Sequence, residues 1–188
     1  MSKKHRKQWS KTASRLKDNH NWKAPKGYKI VVIERGLVSF NVPEAWFMAK
    51  MEPLELHNAH PPDDKARLTV SFWKMPSGID WTGLPLGPLL EKSMQGSEME
   101  VLDTSPTTPV QREDLEMVWA ENLFMDPQEN RPARSRVTLA RGFDVHVVIS
   151  FDYWDDERTI FLPVWEEVAR SLQLGRVIDD PTRGPVEH

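Results

Sequence analysis

The chain has 188 residues, 25 Lys/Arg against 28 Asp/Glu, and no cysteine. One domain of this length needs no covalent staple, and disulfides, thiolate zinc sites and a cysteine nucleophile are excluded. The net charge of −3 is split unevenly: residues 1–26 carry nine Lys/Arg and one Asp, a net of +8, which leaves 16 basic and 27 acidic residues, a net of −11, in the remainder.

Residues 1–26 read as a basic, disordered, flexible tail closed by APKG at 24–27. Within it Lys3, Lys4, Arg6, Lys7, Trp9 and Lys11 form a candidate binding set. Such a tail suits nucleic acid or an anionic membrane surface, and it equally suits a solubilising arm lying on its own acidic body. Trp9 and Trp22 add amphipathic rings of the kind found at membrane surfaces and protein grooves. The start of the chain lacks the apolar stretch of a secretory leader, and no apolar run reaches the ~20 residues of a membrane span. A cytoplasmic location is therefore expected.

YKIVVIE (28–34) is rich in β-branched residues, Gly36 turns the chain, and LVSFNVP (37–43) alternates Val38, Phe40 and Val42, which predicts a β-hairpin. Pro43 ends the second strand because it has no N–H for a ladder. FMAKMEPLEL (47–56) reads as a third extended segment interrupted at Pro53, and NAHPPDDKA (58–66) as a loop. RLTVSFWKM (67–75) alternates as a half-buried strand. LGPLLEKSMQ (86–95) places Leu86, Leu89, Leu90 and Met94 on one helical face, with Pro88 in the first turn. A strand at 98–104, a loop at 105–114 and strands at 116–125, 134–141 and 143–154 follow. The last two are joined by a tight hairpin in which Gly142 is expected to supply φ > 0. Phe161, Val164, Trp165, Val168 and Leu172 then define a helix over about 157–173, and residues 176–188 form a polar tail.

Strands gathered into antiparallel neighbours, with helices packed against them, define an α+β fold. FNVPEAW (40–46) is similar to the xLPxGW start of PsbP-like proteins, with Ala45 in place of the glycine. LTVSF (68–72), the mid-chain helix, the meander and VVISFDYWDDERTIFLPVWEEVARSLQL (147–174) follow in the same order. On these residues, over about 28–174, the chain resembles the α/β/α-sandwich family that includes the photosystem PsbP subunit, the Mog-type Ran-GTPase-binding factors and bacterial DcrB-like proteins. The resemblance implies an antiparallel sheet flanked by helices over residues 27–175. Members with assigned roles are mostly binding or assembly proteins, one group being chaperones for type VI secretion effectors. It therefore implies a non-enzymatic bacterial adaptor with a protein partner, a secretion-associated chaperone being one form, and it carries over no catalytic residue and no cofactor.

Read from the residues alone, several constellations compete with bland alternatives. His57 and His60, with Asp63 and Asp64 nearby, are too few and too loosely spaced for zinc, and read as exposed loop histidines. Trp73, Trp119, Glu121, Arg136 and His146 fall on mixed strand faces. They are a candidate partner-binding surface, since Trp and Arg dominate interface hot spots, or else cross-strand pairs under a helix. No G-x-S-x-G, P-loop or dinucleotide turn is present, and Ser171 reads as a small packing residue. Asp155, Asp156 and Glu157 read as a helix start: Asp155 or Asp156 is expected to be the N-cap, and the acids suit the helix dipole. Glu166 and Glu167 are expected on the solvent side, and Pro163 suits a helix that begins only one or two residues before it.

Overall fold

The structure, a computed structural model, describes residues 12–185 apart from 77, 79, 82 and 96–99. Strands β1 (Tyr28–Ile33) and β2 (Val38–Pro43) form the predicted hairpin, in register from Tyr28↔Pro43 to Ile33↔Val38. The third extended segment breaks at Pro53 into β3 (Phe47–Met51) and β4 (Leu54–His57), which fold back on each other. β5 (Ala66–Lys74), α1 (Leu86–Met94) and β6 (Val101–Thr104) follow as read from the sequence. The stretch expected as loop holds one short strand, β7 (Thr108–Val110), and the meander is β8 (Glu116–Asp126), β9 (Arg131–Gly142) and β10 (Val145–Trp154). Helix α2 (Arg158–Ser171) and a two-residue strand β11 (Gln173–Leu174) complete the order.

The strands make two antiparallel sheets. The large one runs β3-β4-β5-β10-β9-β8-β6, with β7 beside β8, and the small one runs β1-β2-β11. Strand pleating sorts the large sheet into two faces. Val145, Val147, Ile149, Phe151 and Tyr153 of β10 turn toward α2, where Phe161 meets Phe151 edge-on at 6.4 Å and Trp165 meets Trp119 at 5.2 Å. The small sheet joins this side through Val38, Phe40 and Val42, all buried in the same core. Helix α1 lies on the opposite face, where its Glu91 and Met94 share a cavity wall with Ala120 and Asn122 of β8. The molecule is thus an α+β sandwich, an antiparallel sheet between helices.

Four sequence expectations are corrected at turns and caps. The β9–β10 hairpin takes its positive φ at Phe143 (49°) and Asp144 (60°), the two central residues of the turn, and not at Gly142. At Gly142 the tight feature is packing: a Cβ there would sit 3.2 Å from Leu115 Cβ. Neither the 3-10 turn at Asp155–Glu157 nor α2 has a side-chain cap, so Asp155 and Asp156 are not N-caps. Arginines on β9 take these carboxylates instead, Arg134 bonding Asp155 and Arg131 bonding Asp156 (2.6 Å to Oδ2). A charge-assisted bond to arginine outcompetes a neutral backbone N–H. Pro163 is the sixth residue of α2, deeper than expected. It and Thr159, whose carbonyl loses its partner, are both exposed, so water is at hand for that carbonyl. Glu167, expected in solvent, is 9% exposed, accepting from Asn41 Nδ2 (2.6 Å) and from both forks of Arg170.

Residues 17–22 and 180–185, both expected as tail, lie side by side. Lys17 N–H donates to the Thr182 carbonyl (3.0 Å), Asn21 N–H to that of Arg183 (2.7 Å), and the Trp22 indole N–H to that of Pro181 (2.8 Å). Trp22 is 9% exposed, and Gly184 passes so close that a Cβ there would lie 3.0 Å from the indole.

Candidate functional site

The structure divides the five predicted partner-site residues between the two faces of the large sheet. Trp119, Glu121 and Arg136 come together on the face under α2. Glu121 sits opposite Arg136 in the β8–β9 register, and Trp119 opposite Thr138. The Glu121 carboxylate, 3% exposed as a side chain, accepts from Arg134 Nη1 (2.7 Å), from Arg136 Nε (2.8 Å) and from the Tyr153 hydroxyl (2.7 Å). The Arg136 guanidinium is sandwiched between indoles, 4.0 Å from the Trp119 ring centre and 4.5 Å from that of Trp165. Burial alone would raise the Glu121 carboxyl, but the Tyr153 hydroxyl and the two arginines outweigh it and hold the carboxyl below the usual range. Burial, with the bond to Glu121, pushes the Tyr153 hydroxyl well up. Every member of this cluster is matched by another, so it ties α2 to the sheet.

Trp73 and His146 meet on the other face, as β5–β10 register partners with rings 5.8 Å apart. Helix α1 packs over β8 and β9 on this face, and over β5 and β10 the face carries no described helix. The loop before α1 brings Trp81 against His146 at 6.2 Å, and Arg141 donates to the Leu84 carbonyl (2.6 Å) and pairs with Glu116 (2.5 Å). A cavity of about 280 Å³ opens between them, lined by Met75, Trp81, Glu116, Arg141, Phe143 and His146 among others. The indole Nε1 of Trp81 is buried without a hydrogen-bond partner. Around the rim, Trp73 (44%), Leu84 (42%) and Phe143 (65%) are the exposed large apolar side chains. Burial, then the charge of Arg141, lowers the His146 imidazole below its ordinary value, so it is neutral at pH 7.

Sequence reasoning missed Trp81, Phe143, Leu84 and Arg141 at the open face, and Arg134, Tyr153 and Trp165 at the closed one. Strand parity is the signal that puts Arg134 on the face of Arg136; the loop residues carry no periodic signal. His57 is not the exposed loop residue expected: it ends β4, is 6% exposed, and donates from Nδ1 to Asp64 (2.8 Å). His60 is exposed and packs on Phe47 with ring centres 4.1 Å apart. Among the described residues no group of three or more His, Asp or Glu could hold a metal ion. Lys3, Lys4, Arg6, Lys7, Trp9 and Lys11 lie outside the described residues. No described helix is long and apolar enough to cross a membrane.

This architecture, with its antiparallel sheet between helices and its closing helix α2, is that of the PsbP-like α/β/α sandwich. The solution structure of cyanobacterial PsbP (CyanoP) from Synechocystis sp. PCC 6803 matches it with a TM-score of 0.55 at 10% identity, over 81% of this chain and 95% of that one. The Ran-binding protein Mog1p of Saccharomyces cerevisiae scores 0.46 at 14% identity, over 84% of this chain and 98% of that one. Within the class, the chain belongs to the Alr1449 family, whose model matches residues 29–178. It is 40% identical over 184 residues to "Uncharacterized protein alr1449" of Nostoc sp. (strain PCC 7120), covering 97% of this chain and 95% of that one.

Proposed function

We propose that the protein is a non-enzymatic binding protein that holds a protein partner at the open end of its large sheet, around Trp73, Trp81, Leu84 and Phe143. One observation carries this reading: large apolar side chains stand exposed around a cavity walled by both apolar and charged residues at the β5–β10 end of the face, while Glu121, Arg134 and Arg136 under α2 are paired with one another. Aromatic anchors beside a pocket, ringed by charges, are the composition of an interface hot spot. The partner fitting this surface offers an apolar side chain for the cavity between Trp81 and Phe143 and a hydrogen-bond acceptor for the Trp81 indole. An adaptor or secretion-associated chaperone in the cytoplasm is the specific form we favour.

The test is affinity purification of the full chain beside Trp73→Ala and Phe143→Ala, then calorimetry with the purified partner. The expected result is one partner lost from both variants and affinity weakened at least ~10-fold per residue, with unchanged circular dichroism. Equal affinity of the partner for both variants and the parent chain overturns the reading.

A second reading rests on charge. The net +8 of residues 1–26 suits nucleic acid or anionic lipid, with Lys3, Lys4, Arg6, Lys7, Trp9 and Lys11 as contacts. Its mark is binding that weakens steeply with salt and vanishes when residues 1–11 are removed.

A further inference from the structure

We infer that the seam between the small sheet and the C-terminal end of α2 is a binding site for a hydrogen-phosphate group, carried by inorganic phosphate or a small phosphomonoester. The seam encloses a cavity of about 160 Å³. Its floor is the outer face of the small sheet: Ser39 and Gln173 are directly opposed in the β2–β11 register, and Asn41 is two residues further along. Its roof is the segment Asn21–Lys23 with Pro185, and Arg112, Arg170 and Arg176 stand around it.

Two buried polar atoms in this cavity have no partner, the Ser39 hydroxyl, in a residue 1% exposed, and the Gln173 Oε1. The donors of their neighbour Asn41 are engaged: its N–H donates to Ser171 Oγ (2.8 Å), and its Nδ2 donates to the Lys23 carbonyl (3.0 Å) and to Glu167. Buried polar groups are almost always satisfied, and leaving two side by side unpaired is costly. The pair asks for something that accepts from a hydroxyl and donates to a carbonyl oxygen.

The surrounding charge identifies the remainder of the ligand. Lys23, Arg112, Arg170 and Arg176 line the cavity, and among the described residues no carboxylate does. Two of these arginines carry carboxylate partners: Asp114 accepts from Arg112 (2.8 and 2.6 Å), and Glu167 from Arg170 (2.7 and 2.6 Å). Among the described residues, the three arginines against these two carboxylates leave one positive charge in excess at the seam. Arginine forks match tetrahedral oxyanions. At neutral pH phosphate and its monoesters near their second ionisation keep a P–OH, which serves Gln173, and have acceptor oxygens, which serve Ser39 and the arginines. Sulfate has acceptors only. The Arg170 side chain is 59% exposed, which gives the ligand a way in.

The test is calorimetric titration of the full chain at constant ionic strength with inorganic phosphate, glycerol 1-phosphate and sulfate in parallel. Saturable phosphate binding is expected, with sulfate at least ~10-fold weaker because it cannot donate. Ser39→Ala should weaken phosphate about 10-fold without lowering Tm, since it removes an unsatisfied buried group. Arg176→Ala should weaken all three anions together. Tighter binding of the ester identifies a phosphomonoester as the natural source, and tighter binding of inorganic phosphate identifies the free ion; either supports the site. No saturable binding, sulfate equal to phosphate, or full phosphate affinity in Ser39→Ala overturns it.

Discussion

The two faces of the large sheet carry similar residue types to opposite ends. Under α2, Glu121, Arg134, Arg136 and Tyr153 are charged or polar and look reactive in the sequence, yet each is paired with its neighbours, and all but Arg134, 18% exposed as a side chain, are buried. On the other side Trp73, Phe143 and Leu84 are apolar, yet they stand in water beside a cavity. Polar residues inside and apolar residues outside both depart from the usual distribution. The first departure is resolved within the molecule by mutual pairing. The second is not, which is why binding is assigned to the open face and structure to the closed one.

The contrast breaks most directly at Glu121. Glu121→Gln leaves the buried Arg136 without its counter-charge, while Arg134 keeps Asp155, and should cost about 3–5 kcal/mol, measured by urea unfolding. Trp73→Ala on the open face should change stability by no more than about 1 kcal/mol; a larger loss there than at Glu121 would reverse the assignment of roles. Next in size is Gly36→Ala. Gly36 has φ +93°, and a Cβ would lie 2.0 Å from the Arg176 carbonyl oxygen, so a loss of at least about 2 kcal/mol is expected from thermal unfolding.

Acid should act through the closed face as well. The folded Glu121 carboxyl lies below its unfolded value of about 4.3, because Tyr153 and the two arginines outweigh burial. Its contribution is therefore complete above that value and is lost as the pH falls from there toward the lower folded value. A pH series of Tm should show this slope in the parent chain and a shallower one in Glu121→Gln. The smallest effect is expected at Asp155→Ala, about 1 kcal/mol or less, since Asp155 is 37% exposed as a side chain.

Much of this was legible in the sequence, because it rests on periodicity. Val38, Phe40 and Val42, the alternation in β5, and the parity of β9 and β10 gave the sheet faces, and the Phe161–Val168 stripe gave α2. What stayed hidden depends on contacts between distant segments. Glu167 was assigned to solvent by helical phase, but the small sheet packs there and Asn41 claims the carboxylate. Asp155 and Asp156 fit a cap by position, but arginines two strands' width of chain away are stronger partners. At the open face, Trp73 and His146 were found from strand alternation; Trp81 and Leu84 lie in a turn-rich stretch with no period to read.

The small sheet has a consequence for how the chain is made. Its hairpin, β1 and β2, leaves the ribosome well ahead of the third strand, β11, with 129 residues lying between Pro43 and Gln173.

 Residues 44–172 separate the two strands, so until they have been synthesised the outer edge of β2 has no strand to pair with. Ile178, which covers Gly36 and donates its N–H to the Arg35 carbonyl (2.8 Å), arrives later still. A nascent chain therefore carries an unpaired strand edge for most of its synthesis, the condition under which strands join the wrong neighbour. Ribosome-bound chains halted before Gln173 should show this as an N-terminal hairpin that exchanges its amide hydrogens freely and gains protection only when the final segment emerges.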